Sequence, residues 1–251
     1  PRRLPDASSQ SRRRLARGRR KRKPSGDPVD GILLLDKPDG ITSNDALQQA
    51  KKLLGAQKAG HTGSLDPIAT GLLPLCFGAS TRWSGYFLGA DKRDRASMRL
   101  GETTETGDSE GEVVSTSEVS VTEGQLQETL RRFRGTYLQV PPMYSAIKVD
   151  GQPLYKLARQ GKNVERQARE VTVHDLELAT FEGRDVEVTL QSSSGFYVRT
   201  LATDLGEALG TGAHVIALRR LGVASLVVED SMTLDELTEL PDYPERRARL
   251  A

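Results

Sequence analysis

The segment Gly60–Pro74, with the sequence GHTGSLDPIATGLLP, surrounds a single carboxylate, Asp66, with glycines, hydroxyl residues and prolines. Glycine adopts backbone angles that other residues resist, so this composition favours a tight, exposed loop. Pro67 biases Asp66 towards an extended conformation, because the proline ring crowds the backbone of the preceding residue. The segment therefore predicts a stiff loop that presents one acid close to one imidazole, that of His61.

Composition alone does not assign a function to this loop. An Asp-Pro pair in a glycine-rich segment is most often a turn. A phosphate-binding P-loop is disfavoured, because no Gly-Lys-Ser/Thr triplet follows. A nucleophile elbow requires the pattern Gly-x-Ser-x-Gly, which residues 63–66 do not supply.

Taken as a whole, the segment resembles the catalytic motif G-H-x-G-x-L-D-P of the TruB family, the tRNA pseudouridine-55 synthases. The chemistry of that family depends on the motif aspartate. The resemblance therefore implies that Asp66 is the catalytic acid group, acting either as nucleophile or as base. It also implies a reaction without cofactor or metal, in which a uridine in the T-loop of tRNA becomes pseudouridine.

A second segment, residues 195–200 with the sequence GFYVRT, is similar to the family motif G-x-Y-I/V-R-T. The resemblance implies that Arg199 is the ionic partner of Asp66, since a buried carboxylate needs a cation to keep its charge. It implies that Tyr197 lines the uracil pocket and helps in proton transfer from C5 of the base.

Three more site residues follow from the resemblance, which covers about residues 29–237. Leu218, in a matching segment at 212–221, is expected to form an apolar wall of the pocket. His61 is expected to pack against the extruded nucleotide or to fill its place in the stem-loop. Lys37, in a Lys-Pro turn, is expected to shape the floor of the site.

Position 94 departs from the family pattern. The sequence has Asp94 where the family places a tyrosine that stacks on the base. If Asp94 faces Asp66, two carboxylates compete for one cation, and we expect a slow enzyme. The alternative is that Arg93 and Arg95 neutralise Asp94 while it turns outward. A second departure is that the sequence leaves no room for the small RNA-binding domain of PUA type that bacterial members usually carry.

The composition bounds the class of protein. Cys76 is the sole cysteine of 251 residues, so no intramolecular disulfide forms, and its apolar neighbours favour a buried thiol. No apolar run approaches the roughly 18 residues of a membrane span, and no secretory signal is evident. The three histidines lie far apart in sequence, which disfavours a metal site. We expect a cytoplasmic monomer that binds tRNA and no membrane.

The net charge of +2 conceals an asymmetry. Residues 1–24 contain nine arginines, two lysines and one aspartate, a local charge of +10, whereas the remainder carries a charge of −8. Such a segment is typical of a disordered arm for nucleic-acid phosphates, which is the interpretation we favour. A solubilising tail and an organellar transit segment, which would place the protein in an organelle matrix, remain open alternatives.

The pattern of strands and helices lacks a regular β-α alternation, which indicates an α+β domain with a mainly antiparallel sheet. The resemblance implies the pseudouridine synthase fold, a mixed sheet flanked by helices with a central RNA-binding cleft. We predict a disordered basic tail at 1–28 and a catalytic domain at 29–251. Within that domain, residues 148–170 are expected to be a mobile RNA-binding insertion.

Two functions fit the sequence. The first is a tRNA pseudouridine synthase that modifies uridine 55, favoured by the presence together of Asp66, Tyr197 and Arg199. The alternative is a catalytically weak RNA-binding or RNA-folding factor derived from that family, favoured by Asp94 and by the lack of room for a PUA domain.

The basic tail yields a prediction. Each phosphate contact contributes roughly −0.7 to −0.9 to the slope of log affinity against log salt concentration. Deleting Pro1–Pro24 should therefore weaken tRNA binding and flatten its salt dependence, measured by filter binding at several salt concentrations. An unchanged slope would mean that the tail does not touch the RNA.

Overall fold

The computed structural model describes residues 26–251, and the predicted tail lies almost wholly outside them. The helices are α1 (Ser43–Leu53), α2 (Ser84–Gly89), α3 (Glu123–Arg131), α4 (Leu154–Ala158), α5 (Val198–Ala208), α6 (Leu234–Glu239) and α7 (Tyr243–Arg247). The strands are β1 (Gly31–Lys37), β2 (Ala59–His61), β3 (Ala69–Phe77), β4 (Lys92–Leu100), β5 (Glu102–Thr104), β6 (Val113–Thr116), β7 (Gly135–Gln139), β8 (Lys148–Val149), β9 (Gln152–Pro153), β10 (Arg169–Glu182), β11 (Asp185–Ser192), β12 (Ala213–Val223) and β13 (Leu226–Val227).

A large mixed sheet organises the described chain, with the strand order β1-β3-β12-β4-β11-β10-β7. Strand β2 pairs with β3 and β13 with β12 at its margins. Within this sheet only the pairing of β12 with β3 is parallel. The α+β class with a mainly antiparallel sheet is therefore confirmed.

One face of the sheet is apolar and carries the main core. On β4, Ala96, Met98 and Leu100 are buried and Arg93 and Arg95 are exposed, as the period of two along a strand requires. Helix α5 packs on β12 and β4, and α6 packs on β1 and α1. A smaller cluster on the opposite face includes Cys76, which is fully buried in β3 between β1 and β2.

Helix starts follow local chemistry. A capping box at Thr122 and Gln125 starts α3, and a second lies at Thr233 and Glu236 before α6. At α1, Ser43 and Asn44 are also residue types that suit a helix cap, but both lie within the helix. Thr42 is the cap, and its hydroxyl accepts a hydrogen bond from the Asp45 backbone at 3.1 Å.

The segment at residues 78–89 changes its helical period. A 3₁₀ helix at Gly78–Trp83 precedes the short α2, which rotates Trp83 away from the face of Phe87. Phe87 is buried, whereas Trp83 is 52% exposed and Leu88 is 49% exposed.

The predicted boundary of the tail at residue 28 is too late. The Asp27 backbone donates to the Gly55 carbonyl at 2.7 Å, and its carboxylate pairs with Arg247 at 2.7 Å. Residues 26–28 therefore belong to the folded domain. Residues 148–170 form the β8–β9 hairpin and α4, and their binding of RNA stays a prediction. No helix of residues 26–251 has the length and apolar character of a membrane span.

Gly206 yields a prediction of stability. A Cβ at this position of α5 would lie 2.2 Å from the backbone of Gly212 and Ala213, so the helix and the start of β12 would have to separate. Overpacking of this kind costs about 1–3 kcal/mol, and because backbone atoms cannot rotate away we expect Gly206→Ala to reach the upper end of this range.

The matched control is Gly124→Ala on α3, where no atom lies within 4 Å of the added Cβ. Its gain in helix propensity should stabilise the protein by up to about 1 kcal/mol. Urea unfolding measures both variants. Equal midpoints for the two would contradict the close approach of α5 to residues 212–213.

Candidate active site

The loop that carries Asp66 connects β2 to β3 and is held from both sides. The Leu65 backbone donates to the Ser43 hydroxyl at 2.8 Å, and both residues are buried. The Pro67 carbonyl accepts from the Gly40 backbone at 3.0 Å. The carboxylate is thus fixed by hydrogen bonds to the residues on either side of it.

Lys37 supports this loop from below. Its side chain is fully buried, and Nζ donates to the carbonyls of Pro38 at 2.8 Å, Ile41 at 2.6 Å and Pro67 at 3.1 Å. Burial lowers the pKa of the ammonium, and the negative charges of Asp39 and Asp66 oppose that shift. Its three donors therefore already have partners within the protein, and a role for Lys37 in shaping the floor of the site stays a prediction.

Arg199 lies in the first turn of α5 and binds Asp66 with two nitrogens. Nε lies 2.9 Å from Oδ2, and Nη2 donates to Oδ1 at 3.2 Å. The arginine side chain is only 7% exposed and the aspartate side chain 39% exposed, so the pair has one buried and one open partner. The predicted ionic partnership is present, and its bidentate geometry is the strong form of this interaction.

Three more groups complete the surroundings of the guanidinium. Nη1 donates to the Thr106 carbonyl at 3.1 Å and lies 3.5 Å from the Asp108 carboxylate, and Nη2 donates to the Tyr144 carbonyl at 2.7 Å. Sequence reasoning missed all three. Asp108, with a side chain 3% exposed, stands in an acidic, glycine-containing segment that reads as an ordinary surface turn.

The electrostatics of Asp66 reflect partial burial and the charges around it. Burial raises the pKa of the carboxyl above its usual value, and Arg199 is the strongest opposing influence. Asp108 raises that pKa further, and Arg220 lowers it. The site therefore holds a carboxylate whose charge depends on two arginines.

Tyr197 immediately precedes α5, and Gln139 holds its backbone at both ends. The Gln139 amide nitrogen donates to the Tyr197 carbonyl at 3.1 Å, and the Tyr197 N–H donates to the Gln139 oxygen at 2.9 Å. Burial raises the pKa of the phenol. Tyr197 therefore stays a neutral phenol around pH 7, able to pack against a base and to donate a hydrogen bond.

His61 and Leu218 frame the loop on the strands that border it. His61 ends β2, and its Nδ1 is buried without a hydrogen-bond partner among the described residues. Leu218, 9% exposed on β12, pairs with Ala69 three residues after Asp66. Both strands therefore place the predicted side chains at the two margins of the Asp66 loop.

Asp94 has a partner that the sequence did not indicate. Its side chain is 2% exposed, and Arg220 binds it with Nε at 3.0 Å and Nη2 at 3.5 Å. The alternative in which Arg93 and Arg95 hold Asp94 outward is wrong, since those arginines lie on the opposite, exposed side of β4. Asp94 and Asp66 are each hydrogen-bonded to a different arginine, although the charge of Arg220 also acts on Asp66.

No cluster of three or more histidine, cysteine, aspartate or glutamate side chains in residues 26–251 has the arrangement of a metal site. The described groups offer a carboxylate held by an arginine and, beside α5, a neutral phenol that can donate a hydrogen bond.

Comparison with protein families gives two adjoining matches. Residues 51–198 match the TruB family pseudouridylate synthase (N terminal domain), and residues 199–247 match the tRNA pseudouridylate synthase B C-terminal domain. The two matches meet inside α5, and β12 from the second lies within the sheet of the first. The second match is thus part of the same sheet.

Comparison with curated proteins finds enzymes named tRNA pseudouridine synthase B. That of Photobacterium profundum is 53% identical over 221 residues, which are 88% of this chain and 70% of that protein. That of Aeromonas salmonicida is 54% identical over 218 residues, 87% of this chain and 68% of that protein.

Solved structures agree. A Cbf5–Nop10–Gar1 complex contains a chain with a TM-score of 0.69 and 30% identity, covering 88% of this chain and 59% of that one. An H/ACA RNP bound to a substrate RNA containing 2′-deoxyuridine gives a TM-score of 0.66 and 27% identity, covering 90% and 63%. This chain spans about three fifths of those longer chains. The resemblance drawn from the motifs is confirmed, and this chain belongs to the TruB family of pseudouridine synthases.

Proposed function

We propose that this protein is a tRNA pseudouridine synthase that isomerises uridine 55 in the T-loop, with Asp66 as its catalytic acid group. The observation that carries the proposal is the bidentate pair of Asp66 and Arg199, which joins the loop before β3 to the first turn of α5. The names and identities of the curated bacterial relatives support the substrate and the reaction.

The chemistry sets out what the site must do. The bond from N1 of uracil to C1′ of the ribose breaks, the base rotates, and a bond from C5 to C1′ forms. The proton that leaves C5 is balanced by one gained at N1, so the product is an isomer and no cofactor is needed. Asp66 acts either as the nucleophile or as the base in this sequence.

Ionised Asp66 is required on either route. Arg199 holds the negative charge in a place where burial disfavours it. Tyr197 is a poor base at neutral pH, because burial raises the pKa of its phenol. The carboxylate of Asp66 is therefore the better acceptor for the C5 proton, and Tyr197 packs against the base and donates a hydrogen bond.

The target uridine must leave the folded T-loop to reach this carboxylate. Extrusion of a base costs a few kcal/mol, which contacts in the pocket offset. We expect His61, at the end of β2, to occupy the vacated space or to contact the extruded nucleotide. The basic residues of the insertion at 148–170 and of the tail supply contacts to phosphates. We further propose that the enzyme is a monomer and acts in the cytoplasm.

The rival function, a weak RNA-folding factor, loses its main support. It was favoured by the idea that Asp94 disables the pocket. Asp94 is instead buried in an ion pair with Arg220, apart from the pair that holds Asp66.

The decisive test is Asp66→Asn. An amide conserves the shape of the side chain but neither attacks carbon nor accepts a proton effectively, so pseudouridine formation should fall below detection. Binding of unmodified tRNA should stay within a few-fold of the parent. Product is counted by chemical labelling of pseudouridine under single-turnover conditions.

The control is Asp91→Asn, which makes the same change at an exposed residue that pairs with His174. It should retain the parent rate. Product formation by Asp66→Asn near the parent rate would remove Asp66 from the mechanism. A parent protein that makes no pseudouridine on any tRNA would overturn the proposed function itself.

A second prediction concerns pH. A raised carboxyl pKa means that protonation begins at a higher pH than for an ordinary aspartate, whose value is 3.8. The single-turnover rate should therefore be flat near neutrality and fall as the pH drops through the raised pKa of Asp66. A rate profile from pH 4.5 to 8, with stability checked at each pH, measures the midpoint.

Asp204 provides the control for this profile. Burial, and secondarily the charge of Glu207, raises its pKa to about 6, so it titrates in the range of the experiment. Asp204→Asn should leave the midpoint in place. A midpoint that moves with this substitution would assign the profile to Asp204 and not to Asp66.

A further inference from the structure

Arg220 and Asp94 form a buried ion pair on the core face of the sheet, next to the candidate active site. Strands β12 and β4 are hydrogen-bonded neighbours, and these two residues face each other in their register. The Asp94 side chain is 2% exposed and that of Arg220 is 13% exposed. Neither residue belongs to the network of Asp66, Arg199 and Asp108.

The pair leaves one edge of the guanidinium unused. Nε and Nη2 both donate to the Asp94 carboxylate, whereas Nη1 donates to no acceptor within residues 26–251. Nη1 is also not one of the buried polar atoms without a partner, which are His61 Nδ1, Tyr137 Oη, Ser145 Oγ and Arg166 Nε. It is therefore open to solvent, and its N–H groups are available to a ligand.

The position of this edge points to the target base. Nη1 lies 3.9 Å from the place where a side chain on Gly63 would begin, so it borders the loop that carries Asp66. Leu218, two residues before Arg220 on β12, faces the same side of the sheet. The positive charge of Arg220 also favours the ionised form of Asp66, which places the guanidinium within electrostatic reach of the catalytic group.

The charge of the pair indicates what it binds. An arginine that binds a phosphate usually does so with its uncompensated charge and with two nitrogens. Here Nε and Nη2 already bind Asp94, whose charge compensates that of the guanidinium. Nη1 is left as a directional donor in a pair with little net charge. Such a donor suits a neutral acceptor, and the neutral acceptors of a nucleotide near the reacting carbon are the carbonyl oxygens of uracil.

We propose that Arg220 binds the target nucleotide by donating from Nη1 to a carbonyl oxygen of its uracil ring. Asp94 is the positioning residue that holds the guanidinium for this contact. The proposal rests on the proposed function and adds a specificity determinant to it, since a base that presents no carbonyl at this point would leave Nη1 unpaired.

The first test uses the double variant Asp94→Asn with Arg220→Gln. Removing one partner alone would leave a buried charge uncompensated, whereas two amides keep a neutral, hydrogen-bonded pair. We expect the single-turnover rate on unmodified tRNA to fall by about tenfold or more, as for one lost hydrogen bond to a charged donor. Affinity for tRNA and its salt slope should stay unchanged.

The matched control lies one residue away. Arg219 binds Asp36 with two nitrogens, at 2.7 and 3.0 Å, and faces the opposite side of the sheet. The double variant Asp36→Asn with Arg219→Gln removes a two-nitrogen pair that is more exposed, and should keep the parent rate. Thermal melts of both double variants verify that each is folded.

The second test replaces the acceptor. Stem-loop RNAs with 2-thiouridine or 4-thiouridine at the target position weaken one carbonyl acceptor at a time. One of them should slow the parent by about tenfold, yet slow the Asp94→Asn, Arg220→Gln variant by less than about twofold relative to its own rate on uridine. This comparison cancels the intrinsic effect of sulfur on the reaction.

The positioning role of Asp94 is tested by Asp94→Asn alone, which keeps an acceptor for the guanidinium but removes the charge that compensates it, so a thermal melt first verifies that this variant is folded. The rate should fall while tRNA affinity is kept, and the acid limb of the rate should not move to higher pH, because the charges of Arg199 and Arg220 that act on Asp66 both remain.

Four results would overturn the proposal. The first two are a parent-like rate for the Asp94→Asn, Arg220→Gln variant and thio-effects of equal size in parent and variant. The third is a parent-like rate for Asp94→Asn. The fourth is a salt slope of tRNA binding that is smaller in the double variant than in the parent by about one phosphate contact. The last result would assign Arg220 to the RNA backbone. Each of them leaves the proposed function intact, because the parent and Asp66→Asn test that separately.

Discussion

The guanidinium of Arg199 links the separate chain segments that form the candidate active site. Its three nitrogens bind the Asp66 carboxylate and the carbonyls of Thr106 and Tyr144. One of them also lies close to the Asp108 carboxylate. These partners come from three segments that are far apart in sequence. A buried positive charge is tolerated because almost every donor has an acceptor. The same contacts that satisfy the arginine therefore bring three loops to one place.

Sequence predicts the parts of this fold that depend on local chemistry. The alternation along β4 and the capping boxes of α3 and α6 were predictable, because their causes lie within a few residues. The exposure of Trp83 was not predictable, because a 3₁₀ segment changes the helical period before α2. In α1, Thr42 competed with two equally suitable caps, and only the path of the preceding turn decides among them.

The site shows a similar division. Motifs located Asp66, Tyr197 and Arg199, because residue type and spacing carry their signal. The carbonyl of Tyr144 gives no signal at all, since every residue has one. Asp94 was visible as a departure from the family pattern, but its partner was not, because the pairing depends on the register of β12 against β4.

The burial of Cys76 has a practical consequence for following the opening of the molecule. Its thiol is covered on one face of the sheet by Phe87, Val223 and Val228, and burial raises its pKa, so a thiol reagent reaches it only when this cluster opens. The loop of Asp66 joins β2 to β3. Because the chain has a single cysteine, the rate of its alkylation reports the opening of the cluster that covers β3, the strand that follows the Asp66 loop, with no engineered label and no second thiol to confuse the signal.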